Sequence, residues 1–275
     1  MNENPYLELA VAGSGAIATS LAALASVSAD TVWLLARSEA SAEAAMTTIA
    51  RSSERIDGAD ANRVRATTDP ADLAGAGLVV EAIIEDHDAK VALLGTVGAA
   101  APHADLATTT SSLSVVGIGE ESGHRQRLFG LHVFNPVPVM DLVEICMPPA
   151  VQPAVGDRAR RWCETIGKTA VEVPDTPGFV VNRLLFPYLF DAVRFQERTS
   201  MPAADVDTCM TLGVAHPMGP LALLDLIGLD VSLAIGNAIH ADTGNDGHRP
   251  PNVIAGKVAA GELGRKSGRG FYDYG

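Results

Sequence analysis

Apolar and polar positions along the N-terminal part of the chain alternate between two periods. Tyr6 to Ala12 (YLELAVA) is a short apolar run with the character of a buried strand, and it leads straight into Gly13-Ser14-Gly15. The Ala-rich stretch from Ala16 to about Val27 has helical composition. Thr31 to Leu35 (TVWLL) is β-branched and aromatic and predicts a second strand. Residues 38–56 read as helical again, Leu78 to Ala82 as a third strand, and Ala89 to Ala99 as another helix. Leu106 to Thr110 and Leu128 to Phe134 are further strand candidates, with a helix or loop between them. Strands alternating with helices predict an α/β fold: a Rossmann-type, doubly wound, mostly parallel sheet with helices on both faces and right-handed crossovers.

The pattern changes after Val173. Pro174-Asp175-Thr176-Pro177-Gly178 concentrates turn-forming residues and marks a boundary. Beyond it, Val180 to Arg198, Ala203 to Leu212 and Leu221 to Ile239 carry helical patterns, separated by Pro- and Gly-bearing turns. The expectation is a dinucleotide-binding domain over 1–175 and an all-helical domain over 176–275.

Composition narrows the function classes. The 275 residues are 47% hydrophobic and 19% charged, which supplies a sizeable core. A net charge of −13 without a basic block argues against nucleic-acid binding. The start of the chain has neither a basic segment nor a long apolar one, and no uncharged apolar run reaches the ~18 residues of a membrane span, so a cytoplasmic protein without a membrane segment is expected. Cys146, Cys163 and Cys209 are too few and too widely spaced for a disulfide framework or a metal site, and read as reduced thiols.

Gly13-Ser14-Gly15-Ala16-Ile17-Ala18 fits the phosphate-binding fingerprint G-x-G-x-x-A. The first glycine permits the tight turn, the second lets the backbone approach a pyrophosphate, and Ala18 is small enough for close helix–strand packing. Because the loop follows a strand and opens a helix, the helix N-terminus would face the phosphates. Gly13, Ser14, Gly15, Ala16 and Ile17 are thus the cofactor-loop candidates. NAD-binding versions place an acid at the end of the second strand to hold the ribose 2′-hydroxyl. Here Ala36 occupies that place and Arg37-Ser38 follow. A carboxylate would repel a 2′-phosphate, whereas a guanidinium and a hydroxyl would bind it. NADP is therefore the expected cofactor and NAD the alternative.

His132 lies near the end of a strand candidate in Gly130-Leu131-His132-Val133-Phe134-Asn135-Pro136. Taken alone it reads equally as a satisfied core histidine. Glu144, twelve residues on, sits in another strand-like run (LVEI), and a hairpin-like return would bring it back to His132. The pair suits alcohol oxidation. A hydride leaves carbon for the nicotinamide while the hydroxyl proton needs a base working near neutral pH, which imidazole supplies. A carboxylate on the other ring nitrogen fixes the tautomer and stabilises the imidazolium, as in hydrolase triads.

The segment GLHVFNPVPVMDLVEI closely resembles the signature of the L-3-hydroxyacyl-CoA dehydrogenases. VVEAIIED (79–86), TSSLS (110–114), DTPGFVVNRLL (175–185), HPMGPLALLDLIGLD (216–230) and GRKSGRGFYDY (264–274) resemble further family blocks in family order, so the resemblance covers nearly the whole chain. It implies an oxidoreductase of fatty-acid metabolism that interconverts 3-hydroxyacyl and 3-oxoacyl thioesters and acts as a homodimer through its helical domain. By matching position, it implies His132 as general acid/base, Glu144 as its partner, and Ser111 and Asn182 as the groups holding the substrate oxygen. Asn135 matches a further polar group of the site, and Glu81 one beside the cofactor. His87 and His216 fall to structural roles.

Two departures from the family stand out: Ala36 replaces its NAD-selecting Asp, and a lysine-rich arm after the second strand is shortened. The four lysines are Lys90, Lys168, Lys257 and Lys266; residues 38–66 hold Arg51, Arg55, Arg63 and Arg65 instead. CoA phosphates want basic partners, so a hydroxyacyl group on an acyl carrier protein (a glyceryl group, for instance) and a small free hydroxy acid stand as alternatives to acyl-CoA. A further alternative, a protein that keeps the fold without the chemistry as lens-crystallin relatives do, is opposed by the intact set of His132, Glu144, Ser111 and Asn182.

Overall fold

The computed structural model describes residues 4–275, which form two compact units that divide at Asp175/Thr176. The first is α/β, as the alternating pattern predicts. Its strands are β1 (Glu8–Ala12), β2 (Thr31–Leu35), β3 (Val64–Thr67), β4 (Leu78–Glu81), β5 (Asp105–Thr108), β6 (Leu128–Val133), β7 (Leu142–Cys146) and β8 (Thr169–Val173). Among the described residues they make one sheet in the order β3-β2-β1-β4-β5-β6-β7-β8. Every neighbouring pair is parallel except β6–β7. The chain leaves β1 in opposite directions toward β2 and β4, which makes the β1/β4 crevice a topological switch point.

The helices of this unit are α1 (Ala16–Ala25), α2 (Glu39–Ser53), α3 (His87–Ala100), α4 (Val115–Glu121) and α5 (Pro153–Thr165). The central strands are buried on both faces, so they read as continuous apolar runs. One apolar cluster joins Leu9, Val11, Leu21, Val80, Phe129, Ile145 and Trp162; a second joins Ala10, Val79, Leu94, Leu106 and Ile118. Because successive strand residues point to opposite faces, β1 feeds both clusters, through Leu9 and Val11 on one face and Ala10 and Ala12 on the other.

Two strands lie outside the sequence expectation. β3 is a four-residue edge strand with only Val64 buried, and Arg65 is exposed on it with its guanidinium over the Trp33 ring at 5.8 Å. β8 is the opposite edge, with only Val173 buried. Neither carries the apolar signal of a core strand. Cys146 and Cys163 are buried and Cys209 is exposed. Burial, helped by nearby acids, pushes the two buried thiols up to about 12, so they stay protonated.

The second unit is helical: α6 (Val181–Thr199), α7 (Ala203–Gly213), α8 (Pro220–Ile227), α9 (Leu229–Thr243) and α10 (Asn252–Ala259). Its core gathers Phe186, Phe190, Leu221, Leu224, Ile235 and Ile239. The run expected as one helix over 221–239 is two, because Gly228 takes φ 103° and turns the chain by 99°. The C-terminal tail is bound by Asp225, which is 1% exposed and accepts from Phe271 N, Tyr272 N and the Tyr274 hydroxyl. No single helix among the described residues is long and apolar enough to cross a membrane.

Candidate active site

The turn after β1 is shaped by its glycines. Gly13 takes φ 143°, and a Cβ there would collide with the Ala82 carbonyl at the end of β4. Its own N–H donates to Leu35 O at 2.9 Å, which ties the turn to the end of β2. Nothing lies within 4 Å of where a Cβ on Gly15 would stand. Gly15 precedes α1 without a side-chain cap, so the first N–H groups of that helix are open to a ligand. A cavity of about 770 Å³ lies over this turn, lined by Gly13 to Ile17 and by Ala36, Arg37, Ile83 and Ile84 among others. A bare helix N-terminus over a glycine turn, at the switch point, fits the pyrophosphate of a dinucleotide.

At the ribose end, Ala36 is buried in the cavity wall and Arg37 is exposed at its rim. Ser38 caps the next helix. Its hydroxyl accepts from Ser41 N at 3.3 Å and pairs with Ser41 Oγ at 3.0 Å, forming the capping box of α2, and the residue does not line the cavity.

Glu81 is held by internal partners. Its carboxylate is fully buried beneath the loop and not on the cavity wall. Oε1 accepts from Lys90 Nζ and Ile83 N, both at 2.8 Å, and Oε2 from Thr108 Oγ1 at 2.6 Å. With both oxygens engaged internally, it braces the end of β4. The residue that reaches outward is Glu85, four positions on, which sequence reasoning missed. It is 3.5 Å from Lys90 and accepts from the backbone N–H and hydroxyl of Ser111. Lys90, also missed, is fully buried on α3 between these two acids. The one available signal was a lysine inside an otherwise apolar helical pattern, where a buried partner is needed.

The centre of the site is built by strand pairing. The β6–β7 register sets His132 directly opposite Glu144. His132 Nδ1 lies 2.7 Å from Glu144 Oε2, with exposures of 6% and 2%. The Phe134 ring meets the imidazole edge-on at 4.6 Å. A short, buried carboxylate–imidazole contact orients the ring and favours a proton on Nδ1. Asn135 follows at the exposed turn beyond β6. His87 pairs with Asp88 and Glu121 at the surface, and His216 with the Tyr188 hydroxyl, as structural histidines do. Asn182, in the helical unit, is half-buried in the first turn of α6; the cap position belongs to Val180.

Residues 8–176 match the family model of the 3-hydroxyacyl-CoA dehydrogenase NAD binding domain, and residues 178–274 that of the C-terminal domain. The chain belongs to the 3-hydroxyacyl-CoA dehydrogenase family. It is 45% identical over 201 residues to a probable 3-hydroxybutyryl-CoA dehydrogenase of Bacillus subtilis, covering 72% of this chain and 70% of the relative. Its fold matches the crystal structure of Mycobacterium tuberculosis FadB2 with a TM-score of 0.94 at 34% identity, over 98% of this chain and 99% of the other. The (S)-3-hydroxybutyryl-CoA dehydrogenase PaaH1 of Ralstonia eutropha matches at 0.92 and 32%, with the same coverages. The N-terminal domain of this family member is accordingly a nicotinamide-cofactor domain.

Lys90→Met removes the partner of a fully buried carboxylate. The expected cost is about 3–5 kcal/mol of folding stability, measured by denaturant unfolding. A loss below about 1 kcal/mol would mean that Glu81 does not need the ammonium.

Proposed function

We propose that this chain catalyses hydride transfer between a nicotinamide cofactor, with NADP preferred, and a 3-hydroxyacyl/3-oxoacyl thioester, most simply the CoA ester. The observation that carries the reading is the buried His132–Glu144 pair at 2.7 Å, directly opposite on paired strands in a dinucleotide-binding domain. Bound nicotinamide accepts or donates the hydride. Gly13 to Ile17 would hold its pyrophosphate on the α1 N-terminus.

The rest is the work of side chains. In the oxidising direction His132 Nε2 takes the hydroxyl proton, while Glu144 on Nδ1 stabilises the charge the ring acquires. In the reducing direction the same nitrogen returns the proton to the carbinol oxygen. Ser111 donates a hydrogen bond to that oxygen, and this strengthens as the oxygen gains charge. The relatives named as 3-hydroxybutyryl-CoA dehydrogenases favour a short acyl chain on CoA over a carrier protein or free acid.

With acetoacetyl-CoA and NADPH followed at 340 nm, His132→Ala is expected to lose about 10²–10⁴-fold in kcat while still binding cofactor. Glu144→Ala should lose turnover by the same route, and wild-type kcat in either variant contradicts the assignment.

Cofactor choice rests on Ala36 and Arg37. A charge-assisted contact is worth about 1.5–3 kcal/mol, so Arg37→Ala should lower kcat/KM for NADPH by about tenfold or more and leave NADH nearly unchanged. A wild-type enzyme that favours NADH by tenfold would refute the NADP preference.

The helical unit exposes Leu184 (72%), Leu212 (81%) and Val214 (57%), which suits burial against a second copy. Light scattering on a sizing column should give twice the 28.6 kDa chain mass. A monomer at micromolar concentration would exclude the homodimer.

A further inference from the structure

Five donors converge on a single oxygen of Glu85. Oε1 accepts from Thr110 Oγ1 at 2.7 Å, Ser111 N at 2.9 Å, Ser112 Oγ at 2.9 Å, Ser112 N at 3.0 Å and Ser111 Oγ at 3.3 Å. The other oxygen faces Lys90 at 3.5 Å, and Lys90 is itself held by Glu81 at 2.8 Å. Burial opposes the charge on Glu85, but Lys90 and the loop donors prevail and hold its carboxyl below the ordinary range. It is therefore an ionised, acceptor-only group at neutral pH. The far end of the same loop is pinned separately. Asp175 accepts from Ser114 Oγ, Val115 N and Val116 N at 3.0, 3.0 and 2.9 Å.

A carboxylate oxygen offers about two lone-pair directions. Five donors exceed that, and the longest contact is the weakest: the Ser111 hydroxyl at 3.3 Å lies beyond the usual O–H···O range. A serine hydroxyl also carries one proton, so it cannot donate to Glu85 and to a substrate oxygen together. The backbone N–H groups and the Thr110 hydroxyl are held more tightly and fix the loop.

We propose that Glu85 is a positioning residue, a clasp that orders the Thr110–Ser112 loop and keeps the Ser111 hydroxyl as a reserve donor, released when a substrate oxygen accepts its proton. The role of the released hydroxyl rests on the assignment of Ser111 to the substrate oxygen; the clasp itself does not. Removing the acceptor frees the loop, and an amide at the same place still accepts through its carbonyl oxygen.

The test combines amide hydrogen exchange with kinetics on the full chain. Glu85→Ala is expected to speed exchange of the Ser111 and Ser112 amides by about tenfold or more, and Glu85→Gln to retain most of the protection. Unchanged exchange in Glu85→Ala overturns the clasp. In turnover, Ser111→Ala and Glu85→Ala should each lower kcat/KM, and the double variant should fall no more than about twofold below Ser111→Ala. Losses that multiply mean that Glu85 acts elsewhere, and wild-type kcat/KM in Ser111→Ala removes the reserve-donor role. Exchange is read without turnover, so a wild-type chain inactive on acetoacetyl-CoA would sink the functional reading while exchange still decides the clasp.

Discussion

The sheet runs parallel from β3 to β6 and reverses once, at the β6–β7 pair. A parallel neighbour would need a crossover of a dozen or more residues, whereas here the chain returns through the turn that begins at Phe134 and ends before Leu142. Antiparallel pairing sets residues face to face in closely spaced couples, and the register makes His132–Glu144 one of them. A slip of one residue would send Glu144 to the other face of the sheet and put Val143 or Ile145 against the imidazole. Register is protected by burial, since Val143 and Ile145 both sit in the apolar core. The orientation of the histidine is thus a property of the whole sheet, not of a loop.

How far the sequence revealed this depended on how much each segment buries. β2 is observed over the residues its composition predicts, and β1, α1 and α3 differ only at their ends, because a run that is apolar on both faces leaves one consistent reading. The two edges, β3 and β8, bury one residue each and give no such pattern. Pairing completes them: strands of four and five residues are held by a neighbour's backbone, which sequence does not display. The Gly228 corner was lost for a related reason. Apolar periodicity continues across it, and only the positive φ of one glycine shows that the axis turns.

The site was legible where residue type alone fixes the chemistry and illegible where geometry chooses between similar residues. His132 with Glu144, and the glycine turn, belong to the first kind. Glu81 and Glu85 belong to the second, two acids four positions apart on the segment that leaves β4. The backbone directs Glu81 inward onto Lys90 and Thr108, and Glu85 outward onto the serine loop. Ser38 shows the same limit. A hydroxyl beside a cofactor cavity and a hydroxyl that begins a helix look identical in sequence, and only the bonds to Ser41 show that Ser38 caps α2.

Buried charge links these observations. Glu81 and Lys90, both fully buried, would be costly if either lost its partner, and an ion pair of this kind contributes little net stability even when complete. What it does supply is position. Glu81 takes hydrogen bonds from β5 and α3 through Thr108 and Lys90, so the ammonium is fixed relative to the sheet. Glu85 faces that ammonium with one oxygen and the serine loop with the other. Apolar residues of equal volume could fill the same space, but they would not transmit the placement of β4 and β5 to a loop made of small polar residues. Thr110, Ser111 and Ser112 have short polar side chains, and directional bonds to a fixed acceptor are the means by which such a loop can be held in one conformation.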